Sequence, residues 1–202
     1  MIVKLNQSIQ NREEIIKEIT PLLNPHPLIK GNFPVNGIVI NCNYGNLKQK
    51  LDGYPLLYQL LSPFILQNIQ EYVFAINQTP PTEFDSFFML PHFDSYYQEN
   101  GSFQNIHPLN TFIFYLNFPS DSKGGELIIF NTPHSNSSIK KLQLITRKQA
   151  RSQLENYPAT FHLPSPGVIY QVHGNVPHAV LGYTTNDKKS KRLAFILASY
   201  DL

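Results

Sequence analysis

The 202 residues are 42% hydrophobic and 12% aromatic (Phe 14, Tyr 11), apolar mass sufficient for one sizeable core, so a single domain spanning 1–202 is expected. Sixteen Lys and Arg against 14 Asp and Glu leave a formal charge of +2, too slight to argue for nucleic acid or a membrane surface as partner. One cysteine, Cys42, excludes an internal disulfide framework and any multi-cysteine metal cluster.

No apolar run approaches the length of a transmembrane helix, and Lys4 is followed by polar Asn6, Gln7 and Ser8 rather than by a signal-peptide core. A soluble cytoplasmic protein is the default expectation. Ile2-Val3-Lys4-Leu5 reads as a short strand. Asn11 followed by Glu14 resembles a capping box, and Ile15, Ile16 and Ile19 give one apolar side to a short helix that Pro21 ends. Gly37-Ile38-Val39-Ile40 reads as a strand. The spacing then predicts a second helix, capped by Ser62, with Pro63 in its first turn and a stripe of Phe64, Ile65, Leu66, Ile69, Val73 and Phe74. Residues 1–80 are thus expected to be helical support for a sheet.

After Thr79-Pro80-Pro81 the segments become short, β-branched and aromatic, punctuated by Pro, Gly, Asn and Asp. Strands are expected at 84–90, 110–117, 125–131, 159–163, 167–172, 178–183 and 191–199, a pattern of a sandwich or barrel. A surface insertion is expected over about 132–158. Within it, Thr146 would cap a short polar helix through Arg151, Leu154 and Glu155.

In Leu90-Pro91-His92-Phe93-Asp94, an extended backbone points His92 and Asp94 to one face and Phe93 to the other. Imidazole beside carboxylate is two-thirds of the 2-His-1-carboxylate set that holds non-haem Fe(II) with positions left open. Val176-Pro177-His178-Ala179-Val180 offers a third ligand. Alone, a His-x-Asp tripeptide reads equally as a surface pair or as a core histidine oriented by a carboxylate.

The order in which further motifs follow is more specific: Phe114-Tyr115-Leu116-Asn117, Gly124-Gly125-Glu126-Leu127, Pro166-Gly167-Val168-Ile169-Tyr170, Pro177-His178-Ala179-Val180, then Arg192. Over residues 84–200 this order resembles the Fe(II)/2-oxoglutarate-dependent dioxygenases, and most of all their prolyl-4-hydroxylase-like branch. The resemblance implies a mainly β (α+β) fold, a double-stranded β-helix or jelly roll with supporting N-terminal helices. It implies hydroxylation of an amino-acid residue in a peptide or protein, or of a free amino acid, with release of succinate and CO2.

His92, Asp94 and His178 would occupy one face of an octahedral Fe(II), leaving positions for 2-oxoglutarate and O2. The distal carboxylate of 2-oxoglutarate needs a fixed cation, for which the planar fork of arginine is suited. Arg192 begins the apolar run Leu193-Ala194-Phe195-Ile196-Leu197, where an unpaired charge is costly, although a strand-end arginine can also reach out to solvent. Tyr115 would assist it, as the equivalent tyrosine does in the family, or be a core tyrosine satisfied elsewhere. Gly124-Gly125 and Gly167 read as turn residues without a catalytic role.

Two departures from the family pattern stand out. The gap from Gly125 to Gly167 is long, and His173 in Val172-His173-Gly174-Asn175 resembles the His-Gly ligand motif of phytanoyl-CoA-hydroxylase-like relatives, which leaves it as the alternative to His178. His26, His107, His134 and His162 read as ordinary surface or capping histidines. The alternative function is a cupin-like, non-catalytic metal- or ligand-binding jelly roll, although such a protein would usually show His-x-His where Asp94 stands. The substrate and the oligomeric state are not readable.

Overall fold

The computed structural model describes residues 2–25, 35–98, 102–131, 149–154, 157–174 and 176–202. Two antiparallel sheets face each other as a jelly roll. The larger has six strands in the order β1 (Ile2–Ser8), β11 (Val168–His173), β7 (Asn110–Asn117), β14 (Arg192–Tyr200), β3 (Glu71–Thr79) and β2 (Asn36–Cys42). The smaller has four, in the order β10 (Ala159–His162), β9 (Leu127–Phe130), β12 (His178–Leu181) and β4 (Phe87–His92). Two short pairs complete the described strands: β5 (Tyr96–Tyr97) with β6 (Phe103–Gln104), and β8 (Lys123–Gly124) with β13 (Tyr183–Thr184).

The six-stranded sheet is apolar on both faces, and its period-two alternation divides the residues between two tasks. From β14, Leu193, Phe195 and Leu197 join Phe74 and Ile76 of β3 and Phe114 and Leu116 of β7 in the main core. That core is covered by α1 (Arg12–Ile19) and α3 (Pro55–Leu61), through Ile15, Ile19, Leu57 and Leu61. The alternate residues, Ala194, Ile196 and Ala198 of β14 with Ala75 and Asn77 of β3, face inwards and line a cavity between the sheets. The far face of the smaller sheet is closed by α4 (Ala150–Leu154), whose Ala150 and Leu154 pack on Phe87, Ile128, Phe130 and Leu181. A single turn of helix, α2 (Leu47–Lys50), follows β2.

The helix expected from Ser62 to Phe74 does not form. Ser62–Phe64 is one 3-10 turn, and Glu71 onwards is β3, a fully paired strand. Val73 and Phe74, on opposite faces of β3, completed an apparent helical stripe with Phe64, Ile65, Leu66 and Ile69 of the preceding turn and loop, and the helix of this region is α3, begun by Pro55 rather than Pro63. The first 80 residues therefore supply α1, α2 and α3 and also three strands of the larger sheet. At α1 the expected capping box is absent: Asn11 sits at φ 52° and its side chain makes no capping bond. The seven strands expected after residue 84 are present within a few residues of their expected bounds. Of the expected insertion, 132–148 and 155–156 lie outside the described residues, Thr146 and Glu155 with them, while Arg151 and Leu154 belong to α4.

Gly124 and Gly125 turn the chain at φ 89° and 81°, in the left-handed region that favours glycine. A Cβ on Gly125 would lie 2.8 Å from the Phe118 ring. Directly after this turn Glu126, 7% exposed, accepts a 2.5 Å charge-assisted hydrogen bond from Arg151 of α4, and Asp85 Oδ1 accepts the Arg151 backbone N–H at 2.6 Å. These bonds fasten α4 to the smaller sheet. A Glu126→Gln variant is expected to lose on the order of 1–3 kcal/mol of stability, because Arg151 keeps its charge without its counter-charge. The midpoint of a urea unfolding curve measures this directly.

Candidate metal centre and the cavity behind it

Strands β4 and β12 lie side by side with His92 opposite His178, so the two imidazoles meet at one end of the smaller sheet. Their ring centroids are 4.3 Å apart. Asp94, two residues past His92, turns its carboxylate to the same place, with Oδ1 3.7 Å from His92 Nε2 and 3.6 Å from His178 Nε2. One nitrogen or oxygen from each of the three residues lies within 4.8 Å of the others, the spacing of donors around a single ion.

The backbone fixes which nitrogens face inwards. His92 Nδ1 lies 2.8 Å from the Leu90 carbonyl and His178 Nδ1 lies 3.0 Å from that of Val176. Each Nδ1–H therefore donates to the main chain two residues back, so that in the neutral ring each Nε2 presents a lone pair, the tautomer a metal-binding histidine needs. Asp94 Oδ2 accepts the Thr111 hydroxyl at 3.2 Å, leaving Oδ1 turned towards the histidines.

Burial raises the Asp94 carboxyl's affinity for a proton, but His178, His92 and Thr111 outweigh it and hold the group far below the usual carboxylate range. At His92 desolvation favours the neutral ring, yet the hydrogen bond and charge of Asp94 raise its pKa above the ordinary value. His178 is more deeply enclosed. There desolvation prevails over Asp94, aided by repulsion from His92, and its pKa is lowered. The result is an ionised carboxylate beside one histidine that is readily protonated and one that resists protonation.

Behind this cluster the cavity occupies about 380 Å³ between the sheets. Arg192 lines it at the start of β14, 4% exposed. Its Nε donates to Thr79 Oγ1 at 3.0 Å, and its guanidinium carbon lies 5.0 Å from the Phe88 ring centre. Among the described residues no carboxylate comes within 4.0 Å of it. Tyr115, 2% exposed, lines the same cavity, and its hydroxyl makes no hydrogen bond among the described residues. Burial pushes that phenol up to about 12, with Arg192 opposing the rise, so the hydroxyl stays protonated and able to donate. Asn77 lies across from Ala194 on β3, 8% exposed, and its Oδ1 has no hydrogen-bond partner among the described residues. A cation and a hydroxyl thus line the cavity with donors to spare, an arrangement suited to a small anionic guest, while Asn77 Oδ1 offers an acceptor.

All five residues singled out in the sequence, His92, Asp94, His178, Arg192 and Tyr115, line this one cavity. His173 does not: it ends β11 opposite Asn110, in the larger sheet. His107, expected to be an ordinary surface or capping histidine, is part-buried against Phe93, with Nδ1 3.0 Å from the Asp94 carbonyl. His162 is half-buried beside Tyr170, and His26 and His134 lie outside the described residues. Asn77 was missed by sequence reading. Its one signal is a polar residue at an inward position of a strand whose preceding same-face residues, Ala75 two away and Val73 four away, are apolar.

No family model matches the sequence, and no curated protein matches it significantly. Among solved structures, the fold is that of 2-oxoglutarate-dependent oxygenases. A prolyl-4-hydroxylase from Pseudomonas putida superposes over 100% of this chain and 92% of its own, with a TM-score of 0.53 and 16% identity. Dioxygenase for auxin oxidation 1 from Arabidopsis thaliana, in its 2-oxoglutarate complex, matches over 100% and 83% with a TM-score of 0.53 and 11% identity. EvdO2 from Micromonospora carbonacea, complexed with 2-oxoglutarate, matches over 100% and 86%, with a TM-score of 0.51 and 14% identity. At such identities the likeness is one of fold. No helix among the described residues is long and apolar enough to cross a membrane.

Proposed function

We propose that this chain, acting as a single domain, is an Fe(II)- and 2-oxoglutarate-dependent dioxygenase. It hydroxylates an amino-acid residue in a peptide or protein, or a free amino acid, with release of succinate and CO2. The observation that carries the reading is one cavity with two complementary groups of side chains. Two histidines and an ionised carboxylate converge in one place, and a buried arginine that no carboxylate of the described residues pairs with lines the same space.

His92, Asp94 and His178 would hold the metal. Arg192 would hold the distal carboxylate of 2-oxoglutarate, with Tyr115 donating its hydroxyl. When bound, iron with 2-oxoglutarate and O2 supplies the oxidising power for inserting an oxygen atom into a C–H bond. The protein's part is to orient and to exclude. Leu90 and Val176 fix the ring orientation of the histidines, Thr111 holds Asp94 at its second oxygen, and the apolar lining keeps water away. The fold shared with the Pseudomonas and Arabidopsis enzymes supports this reading.

Anaerobic titration with Fe(II) and then 2-oxoglutarate tests it, through the visible charge-transfer band of the ternary complex. Succinate release is then assayed against amino acids and peptides. Absence of the band would leave a metal-binding jelly roll without this chemistry. The same titration has a definite pH dependence. A metal must displace the proton from His92, and a pKa raised above 6.5 means that this proton is held more tightly than usual. Iron affinity is therefore expected to fall as pH drops through that raised value. Repeating the titration at roughly one pH unit on either side of neutrality gives the comparison.

A further inference from the structure

We infer that the substrate group delivered to this centre is neutral and apolar, and that an aromatic lip made by Tyr97 and Phe103 receives it. This rests on the dioxygenase reading and narrows its substrates, setting free amino acids aside in favour of neutral groups.

The charges along the cavity are few. Among the described lining residues the ionisable groups besides tyrosines are His92, Asp94, His178 and Arg192, all assigned to the metal and the co-substrate. The remaining space, beyond the edge strand β4 and over the inner face of β2 and β3, is floored by Val39, Val73 and Ala75. A free amino acid would bring an ammonium and a carboxylate into it. Neither would find a counter-charge among the described lining residues, and an unpaired charge in an apolar cavity is strongly disfavoured. A neutral group meets no such penalty and gains from burial.

The lip is built and held in place. Tyr97 and Phe103 face each other across the β5–β6 pair, with ring centres 5.0 Å apart in an edge-to-face arrangement. Asn41 of β2 ties the pair to the larger sheet, donating to the Tyr97 carbonyl at 2.9 Å. Tyr96 packs against Tyr200 of β14, with ring centres 5.0 Å apart. Tyr97 is buried, whereas Phe103 is 65% exposed although it lines the cavity. A phenyl ring kept at the mouth, half in water, offers an apolar contact to whatever enters.

The test uses the full-length protein, loaded anaerobically with Fe(II) and 2-oxoglutarate, and calorimetric titration. The probes are leucine, proline and phenylalanine as free zwitterions, the same residues as N-acetyl amides, and the small neutral molecules benzyl alcohol and cyclohexanol. The expected result is that neutral probes bind at least about tenfold more tightly than zwitterions, a difference of about 1.4 kcal/mol. The two neutral sets tell a residue within a peptide from a small molecule. Phe103→Ala, a change at an exposed position, should weaken the best neutral probe by about tenfold, and Phe103→Leu should restore most of the loss. Tighter binding of a zwitterion, failure of every neutral probe to bind, or indifference to Phe103→Ala overturns the inference. Formation of the 2-oxoglutarate band in the same sample keeps such a failure apart from failure of the dioxygenase reading.

Discussion

In a His178→Ala variant, Fe(II)-dependent turnover is lost, whereas His173→Ala keeps its iron. His178 contributes one of three converging donor atoms and is the most enclosed of the three, its side chain 10% exposed against 28% for His92 and 25% for Asp94. Removing it opens one face of the site to water and leaves only two protein ligands. The loss of metal affinity should exceed the roughly 10–100-fold that follows from disturbing a ligand's hydrogen-bond partner. Thr111→Val, which removes the hydroxyl donated to Asp94 Oδ2, should fall within that smaller range. Anaerobic iron titration ranks the three variants. Iron retention in His178→Ala together with iron loss in His173→Ala would reverse the assignment.

Arg192→Ala raises the 2-oxoglutarate requirement by roughly a hundredfold or more while iron still binds. Breaking a buried ion pair by removing one partner costs on the order of 3–5 kcal/mol, because the other charge is left desolvated and unpaired. Arg192 meets the condition: it is 4% exposed, held by Thr79, and flanked by the rings of Phe88 and Tyr183. Tyr115→Phe should act in the same direction but more weakly, by about the 1.5–3 kcal/mol of a hydrogen bond to a charged group. Both are read from the charge-transfer band as 2-oxoglutarate is titrated into the anaerobic iron complex. An unchanged affinity in Arg192→Ala would point to another cation, such as a lysine of the run 188–191.

Much of this arrangement was legible in the sequence because strands write their faces locally. His92 and Asp94 sit two apart, Pro177 precedes His178, and Arg192 begins an apolar run, all patterns visible within a few residues. The β segments after residue 84 announced themselves by turn residues between β-branched runs. What could not be read depends on partners far away in the chain. The end of the helix expected over Ser62–Phe74 is instead the start of β3, because β2 and β14 pair with both edges of the chain from Glu71 onwards, and a strand buried on both faces has no alternation to display. Asn77 and the Glu126–Arg151 bond belong to the same class. Each is an ordinary residue until the sheet places it opposite Ala194, or within reach of α4.

The division of labour along β14 has a consequence for how this scaffold can change. Leu193, Phe195 and Leu197 belong to the main core, while Ala194, Ile196 and Ala198, one step away, border the cavity. Bulk added or removed at Ala194, Ala198 or Ala75 reshapes the chamber without touching the layer that α1 and α3 cover. Selection, or a designer, can retune what fits inside through single substitutions at these alanines, and the machinery that keeps the chain folded need not be renegotiated each time.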